Sequence, residues 1–548
     1  MKYCITLLLL SVCFIKSYAE PLENYGASRC ATFNHGLRDK KSAYLQSEFR
    51  DLDSLANSYL SPSGNFLIHY MIEGRDGVNP ADNNQNGIPD FVDSVAYYFD
   101  YSWQFLVNEQ GYKSPVSDNG SGSSDAYDIY LIDLGNGTSD ETTYGMTSTE
   151  GQTSTGSASY IMIDNDYSSH DSSVYASSGK KYQTYYVNGI DALKITAIHE
   201  FFHAVQFSYN EMTPDIPMLY EMSSVYIEFR VFPEIKYYEL YMNQLLEKIP
   251  SFPFSNPNAD NGYAWSALFI KIYTEYANDA IMLKFWQNIN SGQFAYDALN
   301  SALIEYTGKD LQNHLAEIAS WFYYTGKRAQ QGKFFTFADE LSTMKFDFED
   351  EYSYPSVMIS GNILPLAFYP ARVIFRSEDE SISNDTLDVI VYNAEYPNSK
   401  IYQQKSKEFC ISMEKNSSEC DTTFFGNVCF NSVLNKEVMT PIFFAKNGSR
   451  LTENDLAFPN PYSGKEDFIA FPAPFDSRIL GKAKLAIYDT DNTLIYEDAN
   501  ATIDVIDRKK VVVWRDISRD IPTGVYFYKV TINNDSNYGK FVIKRSIK

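Results

Sequence analysis

The chain is 548 residues long, more than one ordinary hydrophobic core organises, so several domains are expected, each burying its own interior. With 45 Lys+Arg against 70 Asp+Glu its formal charge is −25, which argues against nucleic acid and anionic membranes as partners and fits a soluble chain in a calcium-rich setting. The 44 Tyr and 37 Phe suit packed sheet rather than disorder.

The first residues read as an export signal. Lys2, an apolar run from Ile5 to Ile15 and the small-x-small site Ser17-Tyr18-Ala19 mark residues 1–19 for removal, and the mature chain is expected to start at Glu20. Val12 stands where a lipoprotein signal needs a small residue before an acylated Cys13. No other apolar stretch approaches the ~18 residues of a membrane span, so no transmembrane anchor is expected. Cys30, Cys410, Cys420 and Cys429 remain after cleavage, and disulfides are their expected fate in an exported protein, with at least one local bridge among the last three. An inhibitory thiolate role for Cys30 rests on its N-terminal position alone and is not adopted.

After an N-terminal extension (20–60), a first domain is expected over 61–330. Strand-like alternation at 65–71, 127–132 and 158–163 reads as one sheet, and the run 117–125, built only from Ser, Gly, Asp and Asn, as a surface loop. Strand 158–163 is the candidate edge for pairing with an extended peptide. Ahead of it, Asp82-Asn83-Asn84-Gln85-Asn86-Gly87-Ile88-Pro89-Asp90-Phe91-Val92-Asp93 fits a 12-residue calcium pattern. Asp82, Asn84, Asn86 and Asp93 supply side-chain oxygens, Ile88 a main-chain carbonyl, and Gly87 the sharp turn. Asp93 replaces the usual Glu and Pro89 is unlike most EF-hands, so the loop looks more like those of extracellular modules. Its expected role is a structural Ca2+ staple before a helix at 91–105; the plainer alternative is a polar turn.

A helical period follows at 191–209, with Asp191 as N-cap and Ile195, Ile198, Phe202 and Val205 on one side. Further helices are expected at 219–229, 235–248, 264–275, 280–289, 296–306 and 310–324. Sheet first and helices after is an α+β order. Beyond Arg328, strands at 357–375, 386–393 and 428–444 belong to a β-rich module (331–450), and a final unit spans 456–548.

The chemistry lies in His199-Glu200-Phe201-Phe202-His203. Imidazoles at i and i+4 share one helix face a turn apart and can reach one tetrahedral Zn2+, with Glu200 beside them to move a proton. The sequence holds only six His, which makes this spacing informative. The third ligand is expected to be Glu221, 18 residues after His203 at the start of the next helix. In these residues the chain resembles the gluzincin metallopeptidases. The resemblance implies His199, His203 and Glu221 as zinc ligands, Glu200 as catalytic base, and a Tyr or His donor to the oxyanion, for which Tyr263 is the candidate; as one of many tyrosines it also reads as a packing aromatic. Related secreted enzymes often carry E-G-x-A after the third ligand, where this chain has Met222 and Ser224. Glu228, about two turns on, reads as a solvated helix charge, with support of a zinc ligand as the alternative.

The pieces Phe458-Pro459-Asn460-Pro461-Tyr462, Leu485-Ala486-Ile487-Tyr488-Asp489, Trp514-Arg515, Thr523-Gly524-Val525-Tyr526-Phe527-Tyr528 and Gly539-Lys540-Phe541-Val542-Ile543 resemble the type IX secretion sorting domain, a small β-sandwich. The order of calcium loop, sheet, metal helix and Trp321-Phe322-Tyr323-Tyr324-Thr325-Gly326 is similar to a family of secreted bacterial metallopeptidases built on the same plan. The expectation is a multidomain chain, an α+β zincin-like metallopeptidase domain followed by β-sandwich modules. It would be secreted or displayed at the surface of a Gram-negative bacterium, with protein or peptide substrates and the type IX machinery as partners. The rival readings are an inactive surface binding protein on a peptidase-like scaffold and a calcium-dependent adhesin.

Overall fold

The computed structural model describes residues 28–45, 57–120, 124–153, 156–209, 217–353, 356–376, 385–394, 407–414, 425–430, 442–446, 449–450, 457–473, 482–489, 493–506, 509–532 and 535–545. The signal segment 1–19, Cys420, residues 121–123 of the polar loop and 431–441 of an expected strand lie outside them. The chain forms two compact units, one of Met1–Thr307, Thr325–Thr343 and Asn398–Tyr402, the other of Gly308–Tyr324, Met344–Pro397 and Gln403–Lys548. Both helices and several sheets are present, a multi-element α+β protein.

In the first unit the elements run β1 (Ser28–Cys30), α1 (His35–Leu45), β2 (Asn57–Leu60), β3 (Phe66–Tyr70), α2 (Asp90–Trp103), β4 (Tyr127–Ile132), β5 (Thr143–Thr153), β6 (Gly156–Asp164), β7 (Ser172–Val174), β8 (Lys181–Gln183) and α3 (Gly189–Phe207). Then come α4 (Pro217–Val231), α5 (Tyr237–Glu247), α6 (Ala259–Tyr276), α7 (Ala280–Asn290) and α8 (Ala295–Thr307). Six strands make one sheet in the order β1-β5-β6-β4-β3-β2. β3, β4 and β6 are parallel, β5 is antiparallel to β6, and β1 lies parallel to β5.

Every residue of β4 and β6 is buried, because both faces of the sheet are covered. On one face Phe66 of β3 meets Phe99 of α2 at 5.4 Å and Phe201 of α3 at 5.2 Å between ring centroids. On the other, Tyr130, Ile132, Met146, Tyr160 and Met162 pack with Leu37 of α1. The expectation that β6 is an edge is therefore corrected: it bonds β4 on one side and β5 on the other. Alternation reports which faces are apolar, not which strands have neighbours.

Helix α3 starts at Gly189, whose positive φ of 59° follows the extended Asn188. Asp191 thus sits in the first turn and binds Lys194 at 2.8 Å, rather than capping the helix. From Ile195 to Phe207 every residue is buried, so the one-sided pattern expected of this helix is replaced by burial all round. α6 begins five residues before its expected start, which places Tyr263 inside the helix rather than ahead of it.

In the second unit Asp310 caps helix α9 (Leu311–Tyr323), its side chain accepting from the Asn313 N–H at 2.9 Å. The strand expected at 357–375 is two, Ser356–Ile363 and Phe368–Arg376, in different sheets; Pro365 and Leu366, the latter at φ 52°, turn the chain between them. The stretch 428–444 likewise contributes to Phe425–Phe430 and Ile442–Lys446, again in different sheets. Backbone register sets Cys410 opposite Cys429.

The last six strands form one sheet, ordered Phe468–Pro472, Lys509–Arg515, Leu494–Ile506, Lys482–Tyr488, Gly524–Ile532 and Asp535–Ile543. Its ends meet across a common core, since Phe471 at one edge lies 4.9 Å from Tyr528 and 5.2 Å from Phe541 near the other. Among the described residues no helix is long and apolar enough to cross a membrane.

Candidate metal centre

The i, i+4 spacing on α3 points both imidazoles at α4, where Glu221 waits in the second turn. His199 Nε2 lies 3.0 Å from Glu221 Oε2 and 3.1 Å from His203 Nε2, and His203 Nε2 lies 3.6 Å from the same carboxylate oxygen. α4 comes this close to α6 only because residue 262 is Gly: a Cβ there would stand 2.2 Å from Met218 O and 2.8 Å from Glu221 Cβ.

The far nitrogens fix the tautomers. His199 Nδ1 is 2.5 Å from Glu228 Oε1, and His203 Nδ1 is 2.7 Å from Gln206 Oε1. The Gln206 amide is itself oriented, because its Nε2 donates to Tyr220 O at 3.1 Å and to the hydroxyls of Ser223 and Ser224 at 3.1 and 3.2 Å. Each Nδ1 therefore carries the proton and each Nε2 the lone pair in the neutral rings. With both rings neutral, two nitrogen lone pairs and a carboxylate oxygen face one another, an arrangement that repels unless a proton or a metal ion sits among them.

The charges agree. Glu200, Glu221 and Glu228 are all buried, with Arg29 opposite Glu228 at 2.9 Å. Three buried carboxylates against one guanidinium call for a further positive charge. Burial disfavours a charged His199, yet Glu221 and Glu228 raise it to about 9; burial likewise opposes ionisation of Glu221, yet the two imidazoles hold it down to about 2. Ligand atoms 3.0 to 3.6 Å apart match the ~3.3 Å edge of a tetrahedron with bonds of about 2.0–2.1 Å. The residues present fit a tetrahedral divalent ion.

Glu200 faces the other way, toward the sheet. Its Oε2 accepts from Thr147 Oγ1 at 2.8 Å and from Thr32 Oγ1 at 3.2 Å, while Oε1 is buried without a hydrogen-bond partner. Tyr263 stacks on Tyr241 at 4.9 Å, with its ring centroid 6.3 Å from that of His199. Burial, reinforced by Glu221, pushes its phenol well above the ordinary value, so the hydroxyl stays a donor.

Two expectations change here. Glu228 is buried between His199 of α3 and Arg29 of β1, not a solvated charge. Cys30 is free and buried, not disulfide-bonded. It joins the centre: one ligand atom each from Cys30, His199, His203 and Glu221 all lie within 4.8 Å of one another. Burial, then Glu200 and Glu221, push its thiol well above the ordinary value. Arg29, Thr32, Thr147 and Gln206 escaped the sequence reading. Gln206, three residues from His203 on the same helix, was legible from spacing; the others arrive through strand register.

In the candidate calcium loop, Asp82 Oδ1 and Oδ2 accept from the N–H groups of Asn86 and Gly87 at 3.1 and 2.8 Å. Asn84 and Asn86 each reach Asp93 Oδ2 at 2.9 Å through their amides. Four of the expected oxygen-bearing side chains thus converge around Gly87, at φ 85°, with Ile88 held by Asn86 Oδ1 at 2.8 Å.

No family model matches this sequence, and no curated protein matches it. Among solved structures, neural ectodermal development factor IMP-L2 aligns over 37% of this chain and 92% of its own at 11% identity, with a TM-score of 0.11, too low to bear on fold or function.

Proposed function

We propose that this chain is a secreted zinc endopeptidase of gluzincin type, with His199, His203 and Glu221 as the metal ligands and Glu200 as the base. The observation that carries the reading is the convergence of two Nε2 lone pairs and Glu221 Oε2 in a buried pocket of surplus negative charge. Zinc bound there supplies Lewis acidity toward a peptide carbonyl and acidifies water. Glu200 takes the proton at its unpartnered Oε1 and hands it to the leaving amine, while Thr147 holds the other oxygen still. Tyr263 supplies a hydroxyl donor for the oxyanion. Glu228 and Gln206 keep the imidazoles in the ligating tautomer. Ser224, where related enzymes have a small apolar residue, accepts from Gln206, so the departure is built into the site rather than a sign of decay.

The remaining readings join this one: calcium binding at Asp82, Asn84, Asn86, Ile88 and Asp93, export through the signal segment, and a C-terminal β-sandwich that serves type IX sorting. The test is zinc content together with casein cleavage, for wild type and Glu200→Gln. Because the centre is closed to solvent, both proteins are assayed intact and after brief trypsin treatment. One zinc per chain in both, with cleavage by wild type alone, is the expected result. Zinc in both without cleavage in either form would favour the inactive binding scaffold, and absence of zinc would overturn the site.

A further inference from the structure

The centre is shut. His199, His203 and Glu221 are fully buried and Glu200 is 1% exposed, so no peptide reaches them in this conformation. The segment from Arg29 to Phe33 lies over them, and nearly every residue in it engages a different part of the site. Arg29 pairs with Glu228, the carboxylate that holds His199. Cys30 brings its sulfur into the ligand group. Thr32 donates to the base Glu200 at 3.2 Å and accepts from the Thr147 N–H at 2.9 Å. Phe33 stands edge-on to His203 at 5.5 Å and to Tyr220 at 5.4 Å.

The backbone of this segment takes the place an extended substrate would take. β5 bonds β6 along one side, and along its other side it bonds β1, with Ser28 opposite Thr143 and Cys30 opposite Gly145. The Ala31 N–H continues the pairing onto Gly145 O at 3.1 Å. The sheet's other edge is β2, so a substrate that adds a strand on the β5 side, beside Glu200, needs the edge that β1 occupies. Gly145 is the register partner of Cys30 and has no side chain for a reason: a Cβ there would stand 2.8 Å from Thr196 Cγ2 and 3.0 Å from Glu200 Cγ. The strand is thus pressed directly onto the catalytic helix, and its partner strand sets Cys30 over the metal ligands.

A structural zinc site has four protein ligands, whereas a catalytic one keeps a position open. Here three ligands come from helices α3 and α4 and the fourth from a strand laid across the substrate edge. Glu221 Oε1 and Glu200 Oε1 are both buried without hydrogen-bond partners.

We propose that Cys30 is the fourth ligand of the metal, closing a Cys-His-His-Glu site, and that residues 29–33 hold the protein latent until they leave the edge of β5. This rests on the zinc reading above. On metal binding the thiol gives up its proton to solvent and the sulfur donates an electron pair to the ion. On release the sulfur–metal bond breaks, the thiolate regains a proton, and the fourth position opens to water. No redox step is involved.

The test uses the intact chain loaded with cobalt(II) as a spectroscopic probe, for wild type and Cys30→Ser, with X-ray absorption of the zinc form of wild type beside it. The expected result is a near-ultraviolet sulfur-to-cobalt charge-transfer band in wild type, lost in Cys30→Ser while the visible cobalt bands persist. The zinc form should show a sulfur scatterer at about 2.3 Å. Casein cleavage should rise in Cys30→Ser. Cobalt bound by wild type without the charge-transfer band, or zinc with only nitrogen and oxygen neighbours, would overturn Cys30 ligation and leave the three-ligand centre standing. Failure of wild type to bind metal would overturn both. The absorption measurement needs no variant, so a misfolded Cys30→Ser leaves the proposal open to refutation.

Discussion

Arg29 and Glu228 form a buried ion pair at 2.9 Å, and the second oxygen of Glu228 accepts a hydrogen bond from His199 Nδ1 at 2.5 Å. One carboxylate therefore ties the N-terminal strand to a proposed metal ligand. Glu228→Gln keeps an acceptor for His199 but removes the charge that Arg29 and the cation site balance against. Zinc affinity should fall roughly 10–100-fold, the usual effect of losing such a partner. Competition with a chromophoric chelator measures it, and wild-type affinity in the variant would show that Glu228 serves only the ion pair.

Gly262 tests the helix crossing. The Cβ of Gly262→Ala would enter the space of Met218 O and Glu221 Cβ, at 2.2 and 2.8 Å. The backbone oxygen cannot swing aside, so α4 and α6 must part. Overpacking of this kind costs about 1–3 kcal/mol, and it moves the third ligand at the same time. Thermal unfolding and zinc stoichiometry should therefore worsen together. A loss of stability with zinc retained at full affinity would detach Glu221 from the ligand set.

Thr147 gives a separable effect on catalysis. Its hydroxyl reaches Glu200 Oε2 at 2.8 Å and Glu200 O at 2.9 Å, and no metal ligand. Thr147→Val keeps the shape and removes the hydroxyl. The rate constant kcat should drop roughly tenfold, the factor that ~1.4 kcal/mol carries, with zinc content unchanged. Zinc loss in this variant would show that the hydroxyl organises the centre rather than the base.

The site's core was legible from residue spacing because helix geometry is local. An i, i+4 pair must share a face, and a carboxylate opening the next helix is in reach of it. The neighbouring helices were legible too, since their caps and apolar periods are local signals; α7 and α8 match within one residue at each end. β5 was not legible. Its sequence, TYGMTSTEGQT, is polar and Gly-broken and lacks strand alternation, yet from Gly145 to Thr153 it pairs with β6 across one bulge, and its Thr147 bonds Glu200. For Cys30 the sequence offered an N-terminal position and nothing more, for the same reason. Only the parallel register of β1 on β5 brings residue 30 to residues 199, 203 and 221.

The calcium loop predicts a linkage that is independent of the metal centre. Asp82 and Asp93 are the two carboxylates among its expected ligands, so affinity should be modest, in the range of extracellular modules. Calcium at 100 times its Kd should add about 2.7 kcal/mol to folding. Differential scanning calorimetry with calcium against chelator should show a Tm rise that Asp93→Ala removes. An equal rise in that variant would place the calcium elsewhere.

A pH dependence follows from the end of β6. The Asp164 carboxylate accepts from the N–H groups of Leu134, Asp166 and Tyr167 at 2.8, 3.1 and 2.6 Å. Burial outweighs these donors and raises the group to about 7, and Asp166 and Asp171 face it in the same cluster. An unfolded Asp titrates near ~3.9, so between these values the folded chain holds a proton that the unfolded chain has lost. The sign follows: this contribution to stability is fully present below the unfolded value and is lost as pH rises through about 7. Within the window it declines by about 1.4 kcal/mol per pH unit. Asp164→Asn should be less stable overall, since its amide nitrogen meets an N–H donor, but its denaturation midpoint should change less steeply between those pH values than that of wild type. Parallel curves for the two proteins would mean that Asp164 is ionised in the folded state and that Tyr185 and the three backbone donors prevail over burial.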